Sequence, residues 1–198
     1  MPDSNLLEQL IESLRVMPGI GQKSAQRIAF HLLQRDRDGA RFLSRVLSES
    51  MDKINNCQRC RNLTEAVECN ICSSARRDQS VLCVVESPID VLALEQATDF
   101  NGVYFVLMGH LSPLDGIGPE DIGMPLLASR LKAEDIKEII LATNPTVEGE
   151  ATAFYISDMA RENGISCSRI AHGVPLGGEL EYIDKGTIAH AFSGRQLV

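Results

Sequence analysis

Four cysteines, Cys57, Cys60, Cys69 and Cys72, stand in two Cys-x2-Cys pairs separated by eight residues. Two such pairs bring four thiolates within reach of one tetrahedral centre. Soft sulfur ligands that close a tetrahedron favour Zn2+ and leave no open position for catalysis. The spacing therefore predicts one structural zinc ion per chain, with an iron–sulfur site or four free thiols as the readings it leaves open. The segment around them is polar and aperiodic, with too few side chains to make a core, so the metal takes the place of one. The other two cysteines, Cys83 and Cys167, lie in a region of alternating strands and helices and read as core or surface thiols.

Thiolate ligation implies a reducing compartment. Consistent with that, Met1-Pro2-Asp3-Ser4-Asn5 lacks a basic stretch followed by an apolar one. No apolar run approaches the roughly 20 residues of a membrane span. A cytoplasmic protein with no membrane contact is expected. Apolar residues at 44% and charged residues at 23% are enough to build a buried core.

The net charge of −8 hides an asymmetry. Through Arg77 the chain holds 12 Lys and Arg against 9 Asp and Glu; beyond it, 7 against 18. A basic first part and an acidic second part suggest two tasks, one facing phosphate and one facing something else, or two solvated surfaces without a partner.

In the basic part, Leu6, Leu7, Leu10, Ile11 and Leu14 repeat with a helical period behind Ser4, a plausible cap. Pro18-Gly19-Ile20-Gly21 breaks that helix near Met17. A second helix carries Ala25, Ile28, Ala29, Leu32 and Leu33 on one face, Asp36 to Gly39 makes a turn, and Phe42, Leu43, Val46, Leu47 and Ile54 mark a third helix. Three short helices bury little alone, so this module needs a partner subunit or the next domain. The glycines flanking Ile20 make a tight turn at the start of the second helix, where backbone N–H groups attract phosphate. Lys23 and Arg27 follow one helical turn apart. Gly19, Gly21, Lys23 and Arg27 are therefore the candidate DNA-binding residues, gripping the backbone without reading bases, with an ordinary helix–turn–helix connection as the alternative. Gly21-Gln22-Lys23-Ser24 is not a Walker A loop, because Lys does not follow Gly directly and a helix, not a strand, precedes it.

After Arg76 to Ser80, read as a linker, the pattern turns to strands at Val81–Glu86, Val103–Met108, Glu138–Ala142 and Ser168–Ala171. Helices alternate with them, over 88–95, 126–132 and 151–163. That order implies a parallel sheet with helices on its faces. Gly109 to Gly123 is a long Gly/Pro loop, longer than an idle connection needs. Glu86 ends the first strand, and Asn144 to Ala151, with Glu148 and Glu150, follows the third; strand ends of this kind converge on one edge of the sheet. Carboxylates there suggest Mg2+ and phosphoryl transfer. Asn144 and Thr146, however, are neutral and hold Mg2+ weakly, so the pattern also fits a scaffold whose acids sit at a helix start. His31, His110 and His190 have no ligand-spaced partners and read as structural, and the segment from His172 onward is Gly-rich.

These segments, in this order, resemble the bacterial recombination mediator family RecR over nearly the whole chain. Pro18-Gly19-Ile20-Gly21 looks like a helix-hairpin-helix motif and the four cysteines like that family's zinc finger. Val84-Val85-Glu86-Ser87-Pro88, Leu107 to Ile117 and Ala142 to Ala151 look like its Toprim domain. The resemblance implies an α/β, multi-module chain: a helix-hairpin-helix DNA-binding domain over 1–54, a four-cysteine zinc finger over 55–77, a Toprim domain over 80–171 and a C-terminal segment over 172–198. Topoisomerases and primases of the Toprim class carry Asp-x-Asp for Mg2+ where this chain has Asn144-Pro145-Thr146, so Mg2+ and catalysis are not expected, with a Mg2+-dependent nuclease or primase as the alternative. The resemblance further implies DNA, RecO and RecF as partners, RecA loading onto SSB-coated single strands, and assembly into a ring, commonly a tetramer. Glu86, Glu148 and Glu150 become the candidate partner-binding residues.

Overall fold

Leu7, Leu10, Ile11 and Leu14 fall on one side of helix α1 (Leu6–Leu14). In the computed structural model, which describes residues 5–171 and 173–195, they pack on the inner face of α2 (Gln22–Gln34), where Ala25 and Ala29 are fully buried. Asn5 starts α1 through a capping box, accepting from the Glu8 amide at 3.0 Å while the Glu8 carboxylate accepts from its own. The cap is thus one residue later than the sequence suggested. The third helix, α3 (Arg37–Lys53), also begins early: the supposed turn at Asp36 to Gly39 is its first turn, with the Asp36 carboxylate accepting from Gly39 N. Asx capping and turn formation use the same short side chain, which is why the two were indistinguishable in sequence. No residue of α3 is buried.

The chain divides after Ile54 into two compact units. The second opens with the cysteine segment, which carries a minimal hairpin of β1 (Asn55–Asn56) and β2 (Leu63–Thr64). A four-stranded sheet follows, of β3 (Val81–Val85), β4 (Val103–Val106), β5 (Glu138–Ala142) and β6 (Ser166–Arg169), in the order β4-β3-β5-β6 and parallel throughout. Alternate side chains feed two cores. Leu82, Val84, Val103 and Phe105 pack with Leu127 and Leu131 of α5 (Met124–Ala133) and Ala153 and Ile156 of α6 (Val147–Glu162). Cys83, Val85, Tyr104 and Val106 face the other way, against Val91 and Leu94 of α4 (Pro88–Ala97) and Ile71 of the cysteine segment. Burial pushes the Cys83 thiol up to about 12, so it behaves as an apolar side chain.

Three boundaries move. Helix α6 starts at Val147, four residues before its expected start, because Thr146 caps it by accepting from Gly149 N. Strand β6 sits two residues earlier than expected, in register with β5 from Glu138↔Ser166. Arg76 to Ser80 is no linker. The Arg77 guanidinium grips the Glu95 carboxylate and donates to the Phe100 carbonyl at 2.9 Å, and Tyr104 Oη donates to Glu95 at 2.8 Å. Beyond β6, a short 3-10 turn (Leu180–Tyr182) and α7 (Lys185–Ser193), capped by Asp184, account for the tail that periodicity could not assign. His172 lies outside the described residues.

Arg77 holds the Glu95 carboxyl below the usual carboxylate range. The pair therefore stabilises the fold at neutral pH, and its contribution is lost as pH falls below about 4.5 through the folded value. Arg77→Met should lower stability in urea unfolding at pH 7 by about 2 kcal/mol, the scale of a charged hydrogen bond left unmade. The gap between parent and variant should narrow as pH falls below about 4.5; a gap of constant size there means the Phe100 carbonyl contact and packing, not the Glu95 charge, are the cause.

Candidate functional site

In the helical unit the loop between α1 and α2 turns on Gly19, whose φ of +80° favours glycine. Gly21 is different. Its backbone is ordinary and extended, and a Cβ there would meet open space. What glycine contributes at this position is the absence of a side chain: Gly21 is the N-cap of α2 and offers no acceptor to the first turn. The leading N–H groups of the helix are left for an external acceptor. Lys23 and Arg27 are exposed beside that end and line one shallow groove, so all four predicted residues belong to one locale. Neither cation has a carboxylate partner among the described residues, whereas Arg15, Arg41 and Arg45 each lie on a neighbouring Glu or Asp.

In the second unit the sulfurs of Cys57, Cys60, Cys69 and Cys72 all lie within 4.8 Å of one another, and all four residues are buried. Amides of Cys69 and Asn62 point at the Cys57 and Cys60 sulfurs, at 3.3 and 3.5 Å. Side by side without a cation, the thiols oppose one another. The Cys72 thiol draws Cys60 down by hydrogen bonding to it, that contact and burial push Cys72 up, and burial pushes Cys69 up. A metal ion that takes all four as thiolates removes the conflict, so the donor set fits a closed, sulfur-ligated ion.

The knuckle is fastened to the sheet. Val106 N donates to the Cys60 carbonyl at 2.9 Å, occupying the outer edge of β4. Arg59 forks onto Glu134 of the residue following α5, at 2.8 and 3.0 Å, and Arg130 reaches the same carboxylate and the Tyr104 carbonyl. Arg61, in the left-handed region at φ 66°, sends its guanidinium over the Phe105 ring and donates to the carbonyls of Leu107 and Ile122, at 2.9 and 2.6 Å. Those carbonyls stand at the two ends of the long Gly/Pro loop, so one side chain ties its neck. Gly123 favours glycine, having φ +76°, and a Cβ there would displace that guanidinium.

At the carboxyl edge of the sheet, Glu86 is 5% exposed. Its two oxygens accept from Asn144, one from the backbone amide at 2.8 Å and one from Nδ2 at 2.7 Å. His110 Nδ1 lies 3.3 Å from the second oxygen. Gly149 completes the packing, since a Cβ there would fall 2.0 Å from the Asn144 carbonyl. Glu86, a candidate partner-binding residue, is thus buried and hydrogen-bonded at this edge. Glu148 is half-buried, and Glu150 is exposed but ion-paired with Arg169. The two lie about 200° apart around α6, so they are not one patch. Sequence reasoning missed Arg59, Arg61, Arg77 and the Asn144 clasp. Each is a long-range polar contact with no local periodicity to announce it; only the neutrality of Asn144 was visible beforehand.

A parallel sheet whose first strand ends on a glutamate, met by the loop after the third, is the frame of a Toprim domain, and residues 80–171 match the Toprim domain family. The flanking regions narrow this further. Residues 7–51 match the RecR helix-hairpin-helix family and residues 173–196 the RecR C-terminal family. Recombination protein RecR of Saccharophagus degradans is 61% identical over 195 residues, covering 98% of this chain and 99% of that one. Those of Xanthomonas campestris pv. campestris and Xanthomonas oryzae pv. oryzae are each 56% identical with the same coverage. The chain belongs to the RecR family of recombination proteins. No helix among the described residues is long and apolar enough to cross a membrane.

Proposed function

We propose that this chain is a cytoplasmic, DNA-binding recombination mediator that helps load the RecA recombinase onto SSB-coated single-stranded DNA, together with RecO and RecF, and that it catalyses no reaction itself. The observation that carries the reading is the bare glycine cap of α2 beside two cations, Lys23 and Arg27, that have no carboxylate partner among the described residues. That arrangement suits phosphate of any sequence. The names of the relatives support the recombination role. The Asn144 clasp supports the absence of catalysis: with both Glu86 oxygens taken by neutral donors, this edge lacks the paired carboxylates that hold Mg2+. Zinc is the ion that best suits four buried thiolates.

Assembly into a ring, commonly of four subunits, is supported by α3, which buries nothing yet exposes Phe42, Leu43, Leu47 and Met51. Repetition around a ring explains how a chain of net charge −8 holds DNA, because modest contacts add. The solution mass, measured with and without DNA and RecO, should exceed that of one chain in every case; a monomer throughout refutes the ring.

The acidic second unit meets RecO, whose contacting face is basic in this reading. Glu148 is the cleaner probe, since changing Glu150 also strands Arg169. Glu148→Lys should weaken RecO binding about tenfold or more, the scale of one interfacial charge reversal, and leave DNA affinity within about twofold. Equal losses on both ligands would remove the RecO assignment. DNA cleavage or primer synthesis in excess Mg2+ that Glu86→Ala abolishes would restore the enzymatic alternative.

A further inference from the structure

The outer face of α2 continues well past Lys23 and Arg27. From Gln22 to Arg35 there is no Asp or Glu, although α1 carries Glu8 and Glu12 and α3 carries Asp38, Glu49 and Asp52. Ala25 and Ala29 are fully buried and Ile28 and Leu32 half-buried, which fixes the inner face. Opposite them, Lys23, Gln26, Arg27, Phe30, His31, Gln34 and Arg35 are all exposed and line one groove. Lys23, Arg27, His31 and Arg35 recur every four residues, so each is displaced about 40° from the last. They form a slowly winding row about 18 Å long, at 1.5 Å per residue. Arg35, like the other two cations of the row, has no carboxylate partner among the described residues. Phe30 sits in the middle of this row and is 43% exposed.

A row of uncompensated donors fits a polyanion, and an exposed ring set among them fits something flat. In a duplex the faces of the bases are stacked away; only an unpaired base can lie on a side-chain ring. We propose that α2 is a track for single-stranded DNA that runs beyond the hairpin turn. Arg35 and the His31 imidazole supply the far phosphate contacts, and Phe30 is the platform on which one base stacks. The proposal rests on the reading of this chain as a DNA-binding protein and names which form of DNA that surface takes.

The test uses the full chain and a fluorescein-labelled oligothymidylate of about 16 nucleotides, the upper range for such sites, with binding followed by anisotropy over a salt series. Arg35→Gln should flatten the plot of log affinity against log salt by about 0.7 for each subunit on the strand. Phe30→Leu should keep the slope and weaken binding about tenfold. On a strand of equal length with abasic sites through its centre, or on a duplex, Phe30→Leu should match the parent. Phe30→Tyr retains a ring and should restore affinity, whatever Phe30→Leu does to assembly mass. An unchanged slope in Arg35→Gln, or equal losses by Phe30→Leu on intact and abasic strands, overturns the track. If those two variants bind as the parent does while Lys23→Ala with Arg27→Ala does not, the track alone fails. If the double variant also binds with parental affinity and slope, the DNA-binding reading fails with it.

Discussion

Cys57→Ser or Cys72→Ser should leave little soluble protein, and what remains should carry less than one metal ion per chain. The binding energy of a structural zinc site in small modules is about 10 kcal/mol or more. A whole domain has about 5–15 kcal/mol in hand, so removing the ion spends most or all of it. The loss is not confined to the knuckle. Cys60 supplies the carbonyl that pairs with Val106 N, and Arg59 and Arg61 reach Glu134, Leu107 and Ile122 from the same short segment. A released knuckle leaves the Glu134 carboxylate with one guanidinium fewer and the neck of the Gly/Pro loop untied. Elemental analysis, soluble yield and thermal unfolding with and without a strong chelator check this. A metal-free protein that unfolds at the parental temperature refutes it.

Lys23→Ala combined with Arg27→Ala should nearly abolish DNA binding near physiological salt. Each phosphate contact carries about 0.9 of slope in log affinity against log salt on duplex DNA. One substitution acts in every subunit of an assembly, so the losses multiply rather than average. All sequences should be affected alike, because the contacts are to backbone and carry no base code. Both side chains are exposed and make no ion pair among the described residues, so metal content, assembly mass and thermal unfolding should stay close to the parent. A folded, assembled double variant with an unchanged salt slope places the DNA site elsewhere.

What the sequence disclosed, it disclosed through short-range pattern. The cysteine spacing found all four sulfurs, since two residues between ligands is itself the geometry of the knuckle. The apolar run at Val81 found a strand buried on both faces, and Glu138 to Ala142 matched β5 residue for residue. Errors gathered where a side chain has two local options: Asn5 rather than Ser4 as the cap of α1, Asp36 as a cap rather than a turn, and Thr146 as the cap that moves α6 forward. The polar clasps were hidden for another reason. Arg77 and Glu95 are 18 residues apart, and Glu86 and Asn144 are 58, so nothing in a helical or strand period connects them. Glu86 was legible as a strand-end carboxylate, but its burial depends on a partner that only the folded loop supplies.

The distance along the chain between the knuckle and its anchors has a bearing on synthesis. Arg59 leaves the ribosome 75 residues before Glu134, and Cys60 leaves it well before Val106, whose amide it will hold. The small core of the helical unit draws on residues no later than Ala29. The four sulfurs are all made by Cys72, so metal can be captured while the sheet is still unmade. A nascent chain from which Cys72 has emerged but the sheet has not should then bind its ion while the knuckle stays open to protease, with protection arriving late, once β5, α6 and β6 have emerged. Cotranslational folding of the second unit is thus a single late event for which an early-bound metal waits. Stalled chains of increasing length, probed by limited proteolysis, should show one abrupt gain in protection once β6 has emerged, past Arg169, rather than a gradual rise.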